Sequence, residues 1–221
     1  SRGLGDVYKR QIYIIKKDEE VKKQEQEYTA SNQDDKIKEI RIGIAELDTI
    51  NPILSKNKNV QQVTKLIYEP LVDLSSDYKA VPCLAKEWAK QSDNSYLIKL
   101  RENVRWSNGQ SFTAEDVQFT IDRLKDTQTI YSANVEYVTG IEIIDDYTIR
   151  INLSQEVPFF EYNLTFPVLC KEYYQGEDFA TSSKNNSPIG TGKFKISDVQ
   201  SSYIILETVS YTHLTLPTIL R

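Results

Sequence analysis

Residues 100–117, LRENVRWSNGQSFTAEDV, combine the end of a strand, a tight turn and the start of a helix. Ser107-Asn108-Gly109 predicts the turn, because Asn and Gly adopt left-handed backbone angles at little cost. Thr113 stands where an N-cap is expected, and Asp116 follows at the position that completes a capping box. The stretch therefore predicts a strand–turn–helix unit.

The helix that begins at this turn has one apolar face, which predicts that it packs against a sheet. Phe112 and Val117 flank its first turn as a hydrophobic staple, and Trp106 is expected to join them in a buried cluster. Glu115 and Asp116 lie in the first helical turn, where the helix dipole favours negative charge. They are therefore predicted to cap the helix and not to form a catalytic pair. The apolar face consists of Val117, Thr120, Ile121 and Leu124.

Outward from this block, strand patterns outnumber helix patterns. Residues 40–44, Ile-Arg-Ile-Gly-Ile, alternate as a strand with one buried face should. Asp145-Asp146-Tyr147 separates two alternating runs and predicts a hairpin. A second hairpin is predicted where SDVQSS separates Phe194-Lys-Ile from Tyr203-Ile-Ile-Leu. Because the two kinds of element alternate irregularly, the sequence predicts a mixed α/β fold of the α+β kind.

Two further segments predict helices on the N-terminal side of the block. Asn51-Pro52 marks a loop, and apolar residues then recur at helical spacing over 60–67. Pro70 is expected to end this helix near Tyr68, because the residue before a proline avoids the helical conformation. Val81-Pro82 through Trp88 predicts an extended entry followed by a short helix.

The composition limits the chemistry available to the chain. Its 221 residues carry a net charge of −5, without the basic stripe that binding to nucleic-acid phosphates requires. The longest apolar runs are far shorter than the roughly 20 residues of a membrane span. Met is absent, and the single histidine is His213, near the C-terminus. Residues 12–208 contain no histidine, so a Ser-His-Asp centre and a structural zinc site both lack required side chains there, and we expect no catalytic residue, no metal and no cofactor.

The two cysteines, Cys83 and Cys170, are 87 positions apart, a spacing that matches no metal-binding or redox motif. In an oxidising compartment they could form one disulfide, while two idle thiols are the favoured alternative. Neither alternative supplies a nucleophile.

The two ends differ in character from the sequence between them. Residues 1–11, SRGLGDVYKRQ, and 209–221, VSYTHLTLPTILR, resemble translated adaptor sequence that caps fragments assembled from environmental DNA. Residues 12–36 begin with Ile-Tyr-Ile-Ile and continue as a dense run of both charges that cannot bury a face. We interpret 12–36 as an anchor remnant and a charged linker, with a plain surface helix as the alternative.

Six blocks of the remaining sequence follow one another in a characteristic order. They are Asn51-Pro52, IYEPLVD (67–73), VPCLAKEW (81–88), residues 98–124, IIDDYTIRINL (143–153) and SPIGTGKFKI (187–196). This succession resembles the family 5 extracellular solute-binding proteins, the oligopeptide- and dipeptide-binding components of ABC importers. The resemblance covers about residues 37–208 and implies a periplasmic-binding-protein-like fold.

The resemblance also implies a division into lobes. Residues 37–66 and 156–208 would form an incomplete lobe I, residues 67–155 would form lobe II, and a third lobe would follow residue 208. Gly190 and Gly192 lack the strand, Gly-rich loop and Lys-Ser/Thr context of a phosphate loop. The resemblance implies instead that their segment re-enters lobe I as a strand.

For function, the resemblance implies capture of oligopeptides or dipeptides outside the cell and their delivery to a membrane permease. The implied protein is a monomer at the extracellular face of the membrane or in the periplasm, tethered by an N-terminal anchor that this fragment lacks. The implied ligand contacts are Ser55, Lys56, Asn57, Lys58 and Tyr131. A peptide-sensing receptor with the same lobes, and a binder of nickel or another non-peptide solute, are the alternatives. The fragment alone is expected to bind nothing tightly, because it holds one wall of the cleft.

Overall fold

The computed structural model describes residues 39–44, 47–200 and 202–209. The adaptor-like stretch 1–11, the charged segment 12–36 and residues 210–221 lie outside the described residues. Val209 is described, and its amide donates to the Lys193 carbonyl at 3.0 Å. Backbone pairing therefore continues one residue into the C-terminal stretch that the sequence set apart.

Helices and strands mix along the described chain, as the sequence predicts. In chain order they are β1 (Glu39–Gly43), α1 (Lys58–Thr64), β2 (Val72–Leu74), β3 (Ala80–Pro82), β4 (Ala85–Ser92), β5 (Ser95–Leu100), α2 (Ala114–Asp126), β6 (Val138–Asp145), β7 (Thr148–Leu153), β8 (Phe194–Val199) and β9 (Tyr203–Thr208). Short 3₁₀ turns occupy Ser132–Val135, Phe160–Leu164, Glu172–Tyr174 and Ser183–Asn186.

A four-stranded antiparallel sheet of order β4-β5-β7-β6 carries α2. Its inner face is apolar because β5 and β7 alternate in burial, with Ile98 and Ile149 paired and fully buried. The predicted hairpin around residues 145–147 is confirmed as the β6–β7 connection. All four residues of the predicted apolar face of α2 are buried. The helix therefore packs as the periodicity predicts.

The predicted short helix before Trp88 is wrong, because residues 80–82 and 85–92 are the strands β3 and β4. Ala, Lys and Glu at 85–90 favour helix locally. Pairing with β5 overrides that preference, and it places Trp88 opposite Ile98 with the indole half-buried. Tertiary contacts thus decide this segment.

A three-stranded antiparallel sheet of order β1-β9-β8 joins distant parts of the sequence. The predicted strand at 40–44 and the predicted hairpin from Phe194 to Leu206 are both confirmed. Ile40 lies opposite Leu206 and Ile42 opposite Ile204, so the alternating isoleucines face the apolar side of β9. A smaller two-stranded sheet pairs β2 with β3.

The predicted helix over 60–67 forms, but α1 ends at Thr64. Leu66 and Ile67 continue it only as a tighter turn, in which their amides donate to residues three positions earlier at 3.0 Å. The carbonyls of Leu66 and Ile67 instead accept from Phe194 and Gly192, at 3.2 and 2.8 Å. The helical hydrogen-bond pattern therefore ends where the carbonyls of Leu66 and Ile67 accept hydrogen bonds from the segment 192–194.

Gly190 and Gly192 allow that approach. A Cβ on Gly190 would lie 1.9 Å from the Ile67 carbonyl oxygen, and one on Gly192 would lie 2.6 Å from that of Leu66. The Gly190 carbonyl accepts from the Ser107 amide at 2.8 Å, so the turn of the 100–117 block docks here as well. The strand β8 begins at Phe194, two residues after Gly192. The two glycines therefore serve close backbone packing.

Candidate functional site

The strand–turn–helix block packs its apolar side chains into the core. Trp106, Phe112 and Val117 are fully buried, and the rings of Trp106 and Phe112 meet edge to face with centroids 6.2 Å apart. Gly109 has φ of +89° and its amide donates to the Trp106 carbonyl at 2.8 Å. Asn108 Oδ1 accepts from the amide two residues on, at 3.1 Å. These residues build the turn and the core and line up no reactive groups.

The carboxylates at the start of α2 are also engaged in structure. Asp116 is buried, and its oxygens accept from the Trp106 indole N–H at 3.1 Å and from the amide of the N-cap, Thr113, at 2.9 Å. The Lys171 amide donates a third bond at 2.8 Å. Burial raises the pKa of the Asp116 carboxyl, and the donors oppose that shift. Glu115 forms a surface ion pair with Lys171 at 3.2 Å.

The two cysteines are free thiols. Cys170 is buried, and its Sγ lies 3.6 Å from Gln110 Oε1, while Cys83 is half-buried. Burial raises the pKa of each thiol to about 12, so neither forms a thiolate at neutral pH. Within the described ranges, no group of three or more His, Cys, Asp or Glu side chains could hold a metal ion.

The loop before α1 is organised by a buried asparagine. Asn51 Oδ1 accepts from the amides of Ile53 at 2.9 Å and Leu54 at 3.3 Å. Its Nδ2 donates to Asn185 Oδ1 at 2.8 Å and to the Tyr174 hydroxyl at 3.2 Å. From the sequence, Asn51 predicts only a loop. In the structure it anchors the loop to two 3₁₀ turns more than 120 positions away.

The predicted ligand residues of this loop divide into two kinds. Ser55 is buried, and its Oγ donates to Asp48 Oδ1 at 2.7 Å, while the Lys56 amide donates to Asp48 Oδ2 at 2.7 Å. Asn57 is the N-cap of α1 and accepts an amide hydrogen bond of its first turn. The side chains of Lys56 and Lys58 are exposed. Ser55 and Asn57 therefore shape the loop, and the lysines present charge to solvent.

Tyr131 lies immediately before the 3₁₀ turn at 132–135 and is half-buried. Its amide donates to Thr129 Oγ1 at 3.0 Å, and the Thr129 amide donates to Ser132 Oγ at 2.9 Å, so the backbone is held locally. Its hydroxyl contacts Gln61 Oε1 at 3.2 Å. Burial raises the pKa of Tyr131, which keeps the phenol protonated.

Gln61 links Tyr131 to the loop, and no feature of the sequence distinguishes it from Gln62 beside it. Its Nε2 donates to the carbonyls of Pro52 at 2.9 Å and Ser55 at 2.8 Å. Both amide hydrogens are thereby used, and Oε1 is left to face Tyr131. Since Oε1 only accepts, the phenol supplies the proton. The Tyr131 oxygen then offers lone pairs alone, which suit an incoming N–H.

Two cavities meet the segment that carries Tyr131, and we refer to them together as the Tyr131 groove. One, of about 390 Å³, is lined by residues 53–56 and 128–130, so it brings Ser55 and Lys56 to the residues before Tyr131. The other, of about 470 Å³, is lined by Tyr131 itself with Lys65, Thr165 and neighbouring residues. Asn57 and Lys58 line neither cavity. The groove offers a neutral phenol, the ammonium groups of Lys56 and Lys65, the carboxylate of Asp73 and apolar walls.

None of the helices in residues 39–44, 47–200 and 202–209 combines the length and the apolar character of a membrane span.

Comparison with known proteins gives consistent matches. The profile of "Bacterial extracellular solute-binding proteins, family 5 Middle" matches residues 79–211. The periplasmic murein peptide-binding protein MppA of Escherichia coli is 24% identical over 176 residues, 68% of this chain and 32% of MppA. The periplasmic oligopeptide-binding protein OppA of Salmonella typhimurium is 25% identical over 147 residues, 58% of this chain and 27% of OppA.

The fold matches as well. The crystal structure of NikZ from Campylobacter jejuni in complex with Ni(L-His) superposes with a TM-score of 0.69 at 28% identity. The match covers 76% of this chain and 35% of NikZ. This chain spans about a third of the length of these relatives. The mixed α/β fold is thus that of the periplasmic binding proteins, and the chain belongs to family 5 of the bacterial extracellular solute-binding proteins.

Proposed function

We propose that this chain contributes one wall of a peptide-binding cleft in a non-catalytic, monomeric substrate-binding protein of an ABC importer. The protein would work outside the cell, held at the membrane by an N-terminal anchor, and would pass its ligand to a permease. Relatives named for murein-peptide and oligopeptide binding support the ligand class. The observation that carries the proposal is the fixed hydrogen-bond polarity of Tyr131 in the groove.

The chemistry of the groove suits a peptide. A peptide that leaves water must find partners for its N–H groups, and the Tyr131 oxygen presents lone pairs for one of them. Lys56, exposed at the rim of the smaller cavity, offers a positive charge for a carboxylate. The side chains of the peptide would remain in roomy, solvated space, which permits broad sequence tolerance.

The lobe division is part of the same proposal. Strands β1, β8 and β9 fall wholly within the ranges assigned to lobe I, 37–66 and 156–208. Strands β2 to β7 fall wholly within 67–155, the range of lobe II. Because no sheet in the part of the chain that the structure describes mixes strands from the two lobe ranges, the sheet topology supports the division. Lobe closure around a bound ligand would set the affinity.

A second candidate ligand is a nickel–amino-acid complex. It is favoured by the likeness to NikZ, which was crystallised with Ni(L-His). The two ligands require different interactions with Tyr131. A peptide needs an acceptor for an N–H, whereas a metal complex is held chiefly through its own charge and ligands.

The test is calorimetry of the product of the complete gene with di- to octapeptides and, separately, with Ni(L-His). We expect heat and thermal stabilisation with peptides. Tyr131→Phe is expected to weaken peptide binding about tenfold, the value of one hydrogen bond to a buried partner. Tyr162→Phe, at an exposed tyrosine outside the groove, is the control and should bind as the wild type does.

No heat and no stabilisation with any peptide would overturn the peptide assignment. Stabilisation by Ni(L-His) alone would select the second candidate. Hydrolysis of the peptide by the purified protein would contradict the non-catalytic assignment.

A further inference from the structure

The side chain of Gln61 makes three hydrogen bonds to residues outside α1. Its side chain reaches back to the carbonyls of Pro52 and Ser55, at 2.9 and 2.8 Å, and across to the hydroxyl of Tyr131 at 3.2 Å. Gln62, the next residue of α1, is exposed. One half-buried amide thus connects the loop 52–55 with a residue 70 positions away.

The orientation of this amide is determined by its partners. Rotating it by half a turn would place Oε1 against two carbonyl oxygens and Nε2 against the phenol. That arrangement would lose two hydrogen bonds and oppose like partial charges, so the observed orientation is strongly favoured. Two hydrogen bonds to the backbone therefore hold the Gln61 side chain in place. The hydrogen bond from the Tyr131 hydroxyl to Oε1 in turn fixes the position of that hydroxyl.

We propose that Gln61 is a positioning residue for ligand binding, which fixes the place and the proton of the Tyr131 hydroxyl through the bond from that hydroxyl to Oε1. Its role rests on the proposed function, because Tyr131 is the group that would touch the ligand. Gln61 itself acts through Tyr131. The backbone carbonyls of Pro52 and Ser55 are the frame that holds it.

Substitutions at positions 61 and 131 together separate positioning from a merely structural role. Gln61→Met keeps the length of the side chain, but it loses both donations to the loop and offers the phenol only a weak sulfur acceptor. Gln61→Glu keeps an acceptor for the phenol, but it places carboxylate oxygens against the two loop carbonyls, so the frame that holds the side chain is lost as well. Positioning predicts that both variants release Tyr131 and that the effect of Gln61→Met on peptide affinity is largely absent when residue 131 is Phe, whereas a structural role predicts an equal effect with Tyr or Phe at position 131. Gln62→Met is the matched control at the exposed neighbour.

The first measurement needs no ligand. The 221-residue chain carries 14 tyrosines, and labelling with 3-fluorotyrosine gives each a ¹⁹F signal. The signal of Tyr131 is assigned by its loss in Tyr131→Phe. We expect Gln61→Met and Gln61→Glu to shift and broaden this signal, while Gln62→Met leaves it close to wild type. An unmoved signal in Gln61→Met, or an equal change in Gln62→Met, would overturn the proposal.

The second measurement is peptide affinity, with the product of the complete gene and the tightest-binding peptide of the calorimetric series. Gln61→Met is expected to weaken binding about tenfold, close to the effect of Tyr131→Phe. The double variant should be no more than about threefold weaker than Tyr131→Phe, because Gln61 acts through that hydroxyl. A fully additive loss of about a hundredfold would contradict positioning.

The two measurements keep the proposals apart. A wild-type protein that binds no peptide overturns the proposed function, and the fluorine signal still decides whether Gln61 positions Tyr131. A wild-type protein that binds peptide, with Gln61→Met indistinguishable from Gln62→Met, overturns the role of Gln61 and leaves the proposed function standing.

Discussion

The 100–117 block and the Tyr131 groove use the same kinds of hydrogen bond over very different distances along the chain. In the block, the Trp106 indole reaches Asp116 only 10 positions away. Around the groove, Gln61 and Tyr131 are 70 positions apart, and Asn51 and Asn185 are 134 apart. The turn and the helix start of the block are therefore specified by neighbouring residues. The groove depends on contacts between distant parts of the chain.

The largest expected effect tests the block. Trp106→Ala should lower the free energy of unfolding by about 4 kcal/mol, because it empties a fully buried site and removes one donor from buried Asp116. Urea unfolding followed by circular dichroism measures the loss. Trp88→Ala is the matched control on β4, and its half-buried indole should cost less than about 2 kcal/mol. Equal losses would show that the block is not the centre of the core.

The success of sequence reasoning follows the same division. The helix start at Thr113, the turn at Asn108-Gly109 and the two hairpins depend on residues within a few positions, and each lies where the sequence places it. Local preference predicts a short helix before Trp88, which is wrong because pairing with β5 makes residues 85–92 a strand. Local rules carry no information on such pairing.

The residues of the candidate site are harder to predict from the sequence for the same reason. Asn51 has the appearance of loop punctuation before Pro52, yet its amide is fully buried and bonds to distant side chains. Gln61 and Gln62 are identical in type and adjacent in sequence, and only the three-dimensional structure distinguishes them. Tyr131 is implied as a ligand contact only by the family resemblance, since a tyrosine in a polar segment carries no local pattern that indicates ligand binding.

The next prediction tests a motif that looks local but is not. Gly190→Ala should lower the free energy of unfolding by about 3 kcal/mol, because the new Cβ would lie 1.9 Å from a backbone oxygen of Ile67 and the two segments must separate. Gly140→Ala is the control on β6, where a Cβ meets nothing within 4 Å, and it should stay within about 0.5 kcal/mol of wild type. Similar urea midpoints for the two variants would contradict this role for Gly190.

The smallest expected effect concerns the loop of the groove and its dependence on pH. Burial tends to raise the pKa of Asp48, but hydrogen bonds from Ser55 and from the amides of Lys56 and Thr49 outweigh it and lower the pKa below 3.8. A carboxyl whose folded pKa is lowered stabilises the fold above its unfolded pKa and loses that contribution as pH falls through the folded value. Asp48 is exposed, so screening limits the contribution to about 0.5 kcal/mol.

Asp48→Asn should therefore cost about 0.5 kcal/mol at pH 7, and this cost should disappear in acid, where the wild-type carboxyl is itself protonated. Urea midpoints of the two proteins should converge as the pH is lowered below about 4. Asp122→Asn, at an exposed position on α2, is the control and should unfold at the urea midpoint of the wild type at pH 7. A constant difference between Asp48→Asn and wild type across the acid range would mean that the loop depends on the shape of the Asp48 side chain and not on its charge.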